Sequence, residues 1–362
     1  APLITSEGRS FAVETRWLDR PRGRDSRFDA DMVALIRKAI AETDGSLLAF
    51  LPGEGEIRRV MARLDDVTSL DILPLYGSLP FKEQQKALRS GDQRRLVLAT
   101  AIAETSLTLP DIRVVIDGGL ARRARFDPGS GMSRLVTERV TRAEADQRRG
   151  RAGRVVEGIC YRLWTKGEEG SLATFPPAEI ETADLSSLAL ELAEWGSDAL
   201  PFLTAPPDRA LDEARTLLTN LGALEQGRIT NHGKALARTP LHPRLAHMLV
   251  KAGTPAAMLA ALLSDRDPMR GAGADLAARL EALKARGNGP ALDRIRSEAK
   301  RLTRFAGPSN ITDPAEQAAL AYPDRIALRR PGDTPRWLMS GGKGVKMDAG
   351  DPLASSRMLV VT

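Results

Sequence analysis

The chain of 362 residues is long enough for two or three domains with sizeable cores. Its formal net charge of +6 favours a polyanionic partner such as nucleic acid, because phosphate contacts dominate that kind of binding. The single cysteine, Cys160, excludes an internal disulfide, and no apolar run approaches the roughly 20 residues that span a bilayer. We therefore expect a cytoplasmic protein with no membrane partner, in which Cys160 is a packing residue.

Extended and helical segments alternate through the first half of the chain. Apolar runs bounded by turn-forming residues predict strands, and apolar residues at helical spacing predict the helices between them. The predicted strands are 11–18, 46–52, 69–77, 94–100, 113–119 and 157–166, and the predicted helices are 28–41, 57–64 and 81–91. This order predicts an α/β fold with a parallel sheet covered by helices on both faces. Ligands bind beyond the carboxyl ends of such strands, where Gly53, Thr100 and Asp117 fall.

Residues 121–140 interrupt this alternation with a predicted β-hairpin. Two alternating segments flank the turn-forming residues 127–131. The segment is basic, with Arg122, Arg123, Arg125 and Arg134. The hairpin is either a surface that meets nucleic acid or an inert surface element.

A basic helix is predicted to begin at Thr141, in the sequence TRAEADQRRGRAGR (141–154). Thr141 and Glu144 have the spacing of a capping box, which satisfies backbone donors at a helix start. If the helix continues, Gln147, Arg151 and Arg154 stand at i, i+4 and i+7 and line one face. That face suits an anionic ligand, although a solvated basic helix is the common fate of such a run.

Two glycines, Gly150 and Gly153, fall within this predicted helix. Each costs about 1 kcal/mol relative to alanine in a helix interior, which implies a compensating gain. Close approach of a phosphate-bearing ligand would supply that gain.

From residue 175 onward the apolar residues follow helical spacing. Helices are predicted at 185–196, 206–224, 274–287 and 291–305, and a mostly helical region begins at 241–250. Gly227 and Gly233 bracket a short β-like piece, so helices followed by a small wing predict a winged-helix domain. The segment 336–339 also has β-like character. Of the three histidines, His242 and His247 lie near one another in the sequence, but no third metal ligand accompanies them. We therefore expect structural histidines and no metal site.

Several segments resemble conserved helicase motifs. QRRGRAGR (147–154) is similar to motif VI of superfamily 2 helicases in its DEAH-box/RHA form. LLAFLPGEGEI (47–57) resembles motif IV, and LATAIAETSLTLP (98–110) resembles motif V with Ala101 at a usual Asn or Asp position. TPLHPRLAHML (239–249) resembles the join between the winged helix and a ratchet-like bundle, and 321–348 resembles the region after that bundle in bacterial HrpB-type members.

The resemblance covers nearly the whole chain and implies four domains. These are a second RecA-like domain over 1–172, a winged-helix domain over 173–239, a helical ratchet-like domain over 240–310, and the truncated start of a C-terminal region over 311–362.

The resemblance also implies roles for individual residues. Arg151 and Arg154 would be arginine fingers on the γ-phosphate of ATP, and Gln147 would help to place the attacking water. The nucleotide would also meet Asp117, which would reach the ribose, together with Thr105 and Gly150. Nucleic acid would meet six residues: Gly53, Thr100, Glu104, Ser106, Arg122 and Arg125. The hairpin would be the wedge beside the duplex junction.

A helicase motor needs a P-loop and an acidic stretch for Mg²⁺, and this sequence has neither. Residues 341–344 are not a P-loop, because they lack the required glycine spacing and the Ser or Thr hydroxyl. Residues 212–215 mimic the acidic stretch but lie in a predicted helix rather than at a strand end. We therefore expect the C-terminal half of an ATP-dependent RNA or DNA helicase of 3′–5′ type, inactive alone, with ATP and Mg²⁺ bound against an absent first RecA-like domain. The alternative is a non-enzymatic nucleic-acid-binding module.

Overall fold

The computed structural model describes residues 11–362 except 24, 90, 92, 105, 106, 108, 128–130, 270 and 286–288. Internal contacts divide the chain into two compact units. The first unit runs up to Arg125 and resumes over Arg134–Ala178, and the second comprises Phe126–Ser133 and Glu179–Thr362. The described residues 126–127 and 131–133 of the predicted hairpin therefore belong to the second unit.

The first unit is built on a parallel sheet. Its strands in chain order are β1 (Val13–Leu18), β2 (Ser46–Phe50), β3 (Asp71–Leu75), β4 (Arg95–Ala99), β5 (Ile112–Asp117), β6 (Leu120–Asp127), β7 (Met132–Arg139) and β8 (Gly158–Thr165). All but β6 and β7 form one sheet in the order β1-β8-β5-β2-β4-β3, and every pairing in it is parallel. The predicted parallel sheet is confirmed.

The helices described beside this sheet are α1 (Phe28–Glu42), α2 (Glu54–Met61), α3 (Phe81–Leu88), α4 (Arg142–Arg149) and α5 (Lys166–Gly170). Alternate residues of the central strand β2 enter two different cores. Leu47 packs in the cluster that contains Met32 of α1, whereas Leu48 packs in the cluster that contains Ala87 of α3. Burial on both faces explains why the parallel strands are continuous apolar runs. Cys160 of β8 is fully buried, and burial raises the pKa of its thiol to about 12.

The strands β6 and β7 pair with each other as the predicted hairpin. In the first unit its arginines pair with glutamates. Arg125 donates to both carboxylate oxygens of Glu138, at 2.9 and 2.7 Å, and Arg123 reaches Glu138 and Glu144. The basic character expected from the sequence is therefore largely neutralised by neighbouring carboxylates.

The second unit is mostly helical. Its helices are α6 (Ser186–Trp195), α7 (Asp208–Asn220), α8 (Asn231–Ala237), α9 (Pro243–Ala252), α10 (Ala257–Ser264), α11 (Leu276–Lys284), α12 (Pro290–Leu302) and α13 (Pro314–Ala321). The strands β9 (Leu224–Glu225) and β10 (Arg228–Ile229) form a minimal hairpin. A four-stranded antiparallel sheet follows, made of β11 (Ile326–Arg329), β12 (Arg336–Met339), β13 (Gly344–Lys346) and β14 (Met358–Val360). This sheet extends well beyond the β-like character expected at 336–339.

Gly233, which was predicted to border the wing, lies in a helix instead. Gly233 lies inside α8, and a Cβ there would be 2.2 Å from the Ala223 carbonyl oxygen, so close packing requires this glycine. The small β9–β10 hairpin between helices agrees with the expected wing, and the winged-helix and ratchet-like assignments stay predictions. Within the described residues no helix is long and apolar enough to cross a membrane.

A pair of half-buried histidines joins two helices of the second unit. His232 Nε2 of α8 lies 2.8 Å from His247 Nδ1 of α9. Burial lowers the pKa of both rings, that of His247 to about 4, and His232 and Lys251 add to the effect on His247. Both rings are neutral at pH 7, as expected for structural histidines.

This pair predicts a loss of stability in mild acid. Because the folded pKa of His247 is depressed from 6.5, the unfolded chain takes up its proton first, so stability falls as the pH drops from 6.5 towards about 4. We expect the thermal midpoint to fall over this range, and the variant His247→Gln to show a shallower slope. An unchanged slope in the variant would contradict the assignment. Asp184, with its pKa near 2, titrates below this window.

Candidate functional site

The candidate site lies at the carboxyl ends of β4 and β5, beside helix α4. The helix begins as predicted: Thr141 Oγ1 accepts from the Glu144 backbone N–H, and Glu144 Oε2 accepts from the Thr141 N–H at 2.7 Å. The same carboxylate also receives Arg123 of β6. The capping residue thus connects the start of α4 to the hairpin.

The predicted extension of this helix is wrong. Helix α4 ends at Arg149, and the Arg151 and Ala152 N–H groups instead bond to the carbonyls three residues back in tight turns. Gln147, Arg151 and Arg154 therefore do not share a helix face. Gly153 lies beside the chain entering β1, where a Cβ would approach the Phe11 carbonyl oxygen to 2.6 Å. Protein packing, rather than a ligand, requires this glycine.

Arg148 is the centre of the site, although no pattern in the sequence singled it out. Its side chain is 1% exposed. Its guanidinium NH2 lies 2.6 Å from Glu104 Oε1, and its NH1 lies 2.7 Å from Asp117 Oδ1. The guanidinium carbon is 4.9 Å from the centre of the Phe50 ring. Burial alone would lower the pKa of Arg148, but Asp117 and Glu104 together raise it above its ordinary value.

Arg151 is bound to the loop that follows β4. Its Nε donates to the Glu104 carbonyl oxygen at 2.9 Å and its NH1 donates to the Leu107 carbonyl oxygen. Its NH2 is buried and has no hydrogen-bond partner among the described residues. Burial, with a contribution from Arg154, lowers the pKa of Arg151 to about 10, so its side chain remains cationic at pH 7.

The remaining nucleotide-contact candidates are spread over this edge. Arg154 is exposed, and in the described part of the chain its guanidinium has no protein partner; Gln147 and Gly150 are exposed at the end of α4. Asp117 is fully buried, with Oδ1 also accepting from the Gly119 N–H at 2.9 Å. The ribose contact of Asp117 stays a prediction, whereas its pairing with Arg148 is observed. Thr105, Ser106 and Thr108 lie outside the described residues.

The candidates for nucleic-acid contact meet beside the turn after β2. A Cβ on Gly53 would lie 2.4 Å from the Arg122 NH1, so the guanidinium rests directly on the glycine backbone. Arg122 also pairs with Glu56 of α2 at 3.2 Å. Thr100 directly follows β4, and its N–H donates to the Leu75 carbonyl oxygen at 3.1 Å. The structure therefore joins Gly53 with Arg122, and Glu104 with Arg148 and Arg151, but it does not bring the five described candidates into one cluster.

Arg148 could have been found from the sequence only indirectly. It lies in the same motif as Arg151, but its partners are 44 and 31 residues away, so no local spacing identifies them. No cluster of three or more His, Cys, Asp or Glu side chains that could hold a metal ion occurs among the residues that the structure covers.

Comparison with known proteins identifies the class of protein that carries this site. The model of the helicase conserved C-terminal domain matches residues 31–156, which include β2 to β5 and α4. The ATP-dependent RNA helicase HrpB of Escherichia coli is 41% identical over 99% of the chain, and the ATP-dependent RNA helicase HrpA of the same organism is 38% identical over 70%. A crystal structure of the Escherichia coli DEAH/RHA helicase HrpB covers the whole chain with a TM-score of 0.89 at 38% identity.

The chain thus carries a helicase C-terminal domain on a parallel α/β sheet. It belongs to the DEAH/RHA helicase family. It spans 45% of Escherichia coli HrpB and 20% of HrpA, less than half the length of either relative.

Substitution of Gly150 and Gly153 by alanine should have different effects on the free energy of unfolding. Gly153→Ala should lower the free energy of unfolding by about 1–3 kcal/mol, because its Cβ collides with Phe11 and Val13. Gly150→Ala should be neutral or slightly stabilising, because its backbone is helical and its nearest contact is 3.4 Å away. Urea unfolding of the two variants measures this difference. Equal destabilisation would contradict the packing explanation.

Proposed function

We propose that this chain is the part of an ATP-dependent RNA helicase motor that supplies arginines to the transferring phosphoryl group and holds the nucleic-acid strand. The relatives named ATP-dependent RNA helicases support the reaction class. The single observation that carries the assignment is the state of the two motif arginines among the residues that the structure describes. There, two backbone carbonyls hold Arg151 while its NH2 has no partner, and the exposed guanidinium of Arg154 has none.

The chemistry of ATP hydrolysis suits this pair. Negative charge spreads over the phosphoryl oxygens in the transition state, and a positioned guanidinium stabilises it without having to move a proton. Arg151 is already oriented by two backbone carbonyls, which lowers the entropy lost when it meets the phosphate. Exposed Arg154 can reach a nucleotide bound on a facing domain. In this arrangement Asp117 and Glu104 act by orienting Arg148, which anchors the segment that carries both arginines.

The strand contact is proposed at Gly53 and Arg122. A backbone glycine lets a phosphate approach closely, and the arginine beside it is a donor to phosphate oxygens. Glu56 occupies Arg122 at 3.2 Å, so a phosphate must compete with this carboxylate. ATP would bind with Mg²⁺, whose ligands we expect from a P-loop domain outside this sequence. A cytoplasmic location agrees with the single buried cysteine.

The test uses a chimera of Escherichia coli HrpB in which this chain replaces the segment that it matches, 45% of that protein. In the chimera Arg154→Ala should lower RNA-stimulated kcat by about 10³-fold or more, because the transition-state charge loses its donor. RNA affinity should stay within about twofold, because the lost contact is made to the nucleotide and not to RNA. Turnover and fluorescence-based RNA binding would be measured in the same buffer.

The matched control is Arg142→Ala, which removes another exposed arginine of the segment 141–154, at the start of α4. It should leave turnover unchanged. Turnover retained in Arg154→Ala would contradict the finger assignment. RNA binding with no turnover in the unsubstituted chimera would favour the non-enzymatic binding module instead.

A further inference from the structure

The four-stranded sheet β11–β14 has one covered face and one open face. On the covered face Ala327, Trp337 and Met339 are almost fully buried in one core cluster. Successive residues of a strand point to opposite faces, so the positions between these residues point outward. In an antiparallel sheet with one covered face the outward positions are usually polar. Several outward positions of this sheet are instead apolar, as the following residues show.

Three apolar side chains form a row across three strands of the open face. Leu328 of β11 pairs in register with Leu338 of β12 and with Met358 of β14. Leu328 is 56% exposed, Leu338 40% and Met358 59%. Further along β14, Val360 is half-buried and packs against a helical core cluster of the second unit, which bounds the open area. We call Leu328, Leu338 and Met358 the apolar row.

Three cations form a second row, two residues further along the strands. Arg336 stands opposite Lys346 in the register of β12 and β13, and the Arg330 N–H donates to the Arg336 carbonyl oxygen at 2.8 Å. All three side chains are exposed, and among the described residues none forms an ion pair, not even with Asp333 or Asp348 nearby in the sequence. We call these three residues the cationic row.

No carboxylate of the sheet itself balances the cationic row, because the strands β11–β14 contain no Asp or Glu. Like charges that stand directly opposite one another on neighbouring strands are destabilising. An anionic partner would remove this repulsion. The open face therefore combines a contiguous apolar surface with an adjacent demand for negative charge.

We propose that this face binds an acidic amphipathic helix of a partner protein. A helix rises about 5.4 Å per turn, close to the spacing of about 4.8 Å between neighbouring strands. Apolar side chains at i, i+4 and i+7 of a helix laid across the strands would therefore meet the apolar row one strand at a time. Carboxylates on the adjacent stripe of that helix would meet the cationic row.

Two other occupants match the face less closely. Unpaired RNA bases stack on aromatic rings, whereas the apolar row is aliphatic. A second copy of this chain, in a symmetric contact, would place the face against itself and supply no carboxylate from the sheet to the cations. The proposal does not rest on the proposed function, because the two rows contain none of the helicase-motif residues.

The first experiment titrates this chain with a fluorescein-labelled helical peptide of about 16 residues, with leucines at i, i+4 and i+7 and glutamates on the adjacent stripe. Fluorescence anisotropy should show saturable binding. A second peptide with lysine at each glutamate position should bind at least about tenfold more weakly, because its charges oppose the cationic row. No saturable binding of the glutamate peptide up to about 1 mM, or equal binding of both peptides, would overturn the proposal.

The variant Arg336→Glu should reduce or reverse the preference for the glutamate peptide, because it changes the sign of the central charge of the row. Arg357→Glu is the matched control: it makes the same change at an exposed arginine beside Met358, at the alternate position of the chain, and should keep the wild-type preference. Leu328→Thr keeps a residue that favours strands and should weaken both peptides. Circular dichroism checks that the variants are folded. Wild-type binding by Arg336→Glu or by Leu328→Thr would contradict the proposal.

A second experiment tests the other occupants with the same labelled peptide. Single-stranded RNA added at fixed ionic strength should leave the peptide bound, and displacement by RNA would assign the face to nucleic acid. The peptide should also bind the HrpB chimera, and loss of binding there would show that the remainder of the motor covers the face. Sedimentation of the chain alone should show no dimer that Leu328→Thr dissociates, since such a dimer would assign the face to a second copy. Each of these three contrary results would overturn the partner helix.

Discussion

The buried ion pairs of Arg148 hold the functional edge of the first unit together. A guanidinium that is 1% exposed must be matched by carboxylates, and Asp117 and Glu104 supply them at 2.7 and 2.6 Å. Removing one partner of such a cluster typically costs about 3–5 kcal/mol, because a charge is left buried without compensation. The end of β5, the loop after β4 and helix α4 are therefore fixed to one another by a single side chain. This constraint determines where the following turn, with Arg151, can lie.

The elements that Arg148 joins make further hydrogen bonds to Arg151 and to the hairpin. On one side, the carbonyl oxygens of Glu104 and Leu107 hold Arg151. Because the Glu104 carboxylate also pairs with Arg148, the loop after β4 positions both Arg148 and Arg151. Towards the hairpin, the capping residue Glu144 of α4 accepts from Arg123 of β6. A change in the loop after β4 can thus be transmitted to the arginines and to the base of the hairpin through direct hydrogen bonds. We regard this as the physical basis for coupling ATP hydrolysis to strand movement in the proposed motor.

The sequence predicted those features that depend on local patterns. The apolar runs around Leu48 and Val97 indicated buried parallel strands, and the spacing of Thr141 and Glu144 indicated the start of α4; both were confirmed. The end of α4 was missed because it depends on contact between Gly153 and Phe11, which lie far apart in the chain. The pairing of Arg148 and the neutralisation of the hairpin arginines by Glu138 were missed for the same reason: charge partners across a fold leave no periodic signal. The family resemblance singled out Arg151 and Arg154 without revealing the two backbone carbonyls that position Arg151.

The most direct test of this account is ATP hydrolysis by this chain alone, with and without single-stranded RNA, at low salt. The chain contains no P-loop sequence, and its basic net charge favours phosphate binding, so we predict salt-sensitive RNA binding without turnover. RNA-stimulated turnover by the isolated chain would contradict the account, because it would require a phosphate-binding loop within these residues and a different assignment of the site.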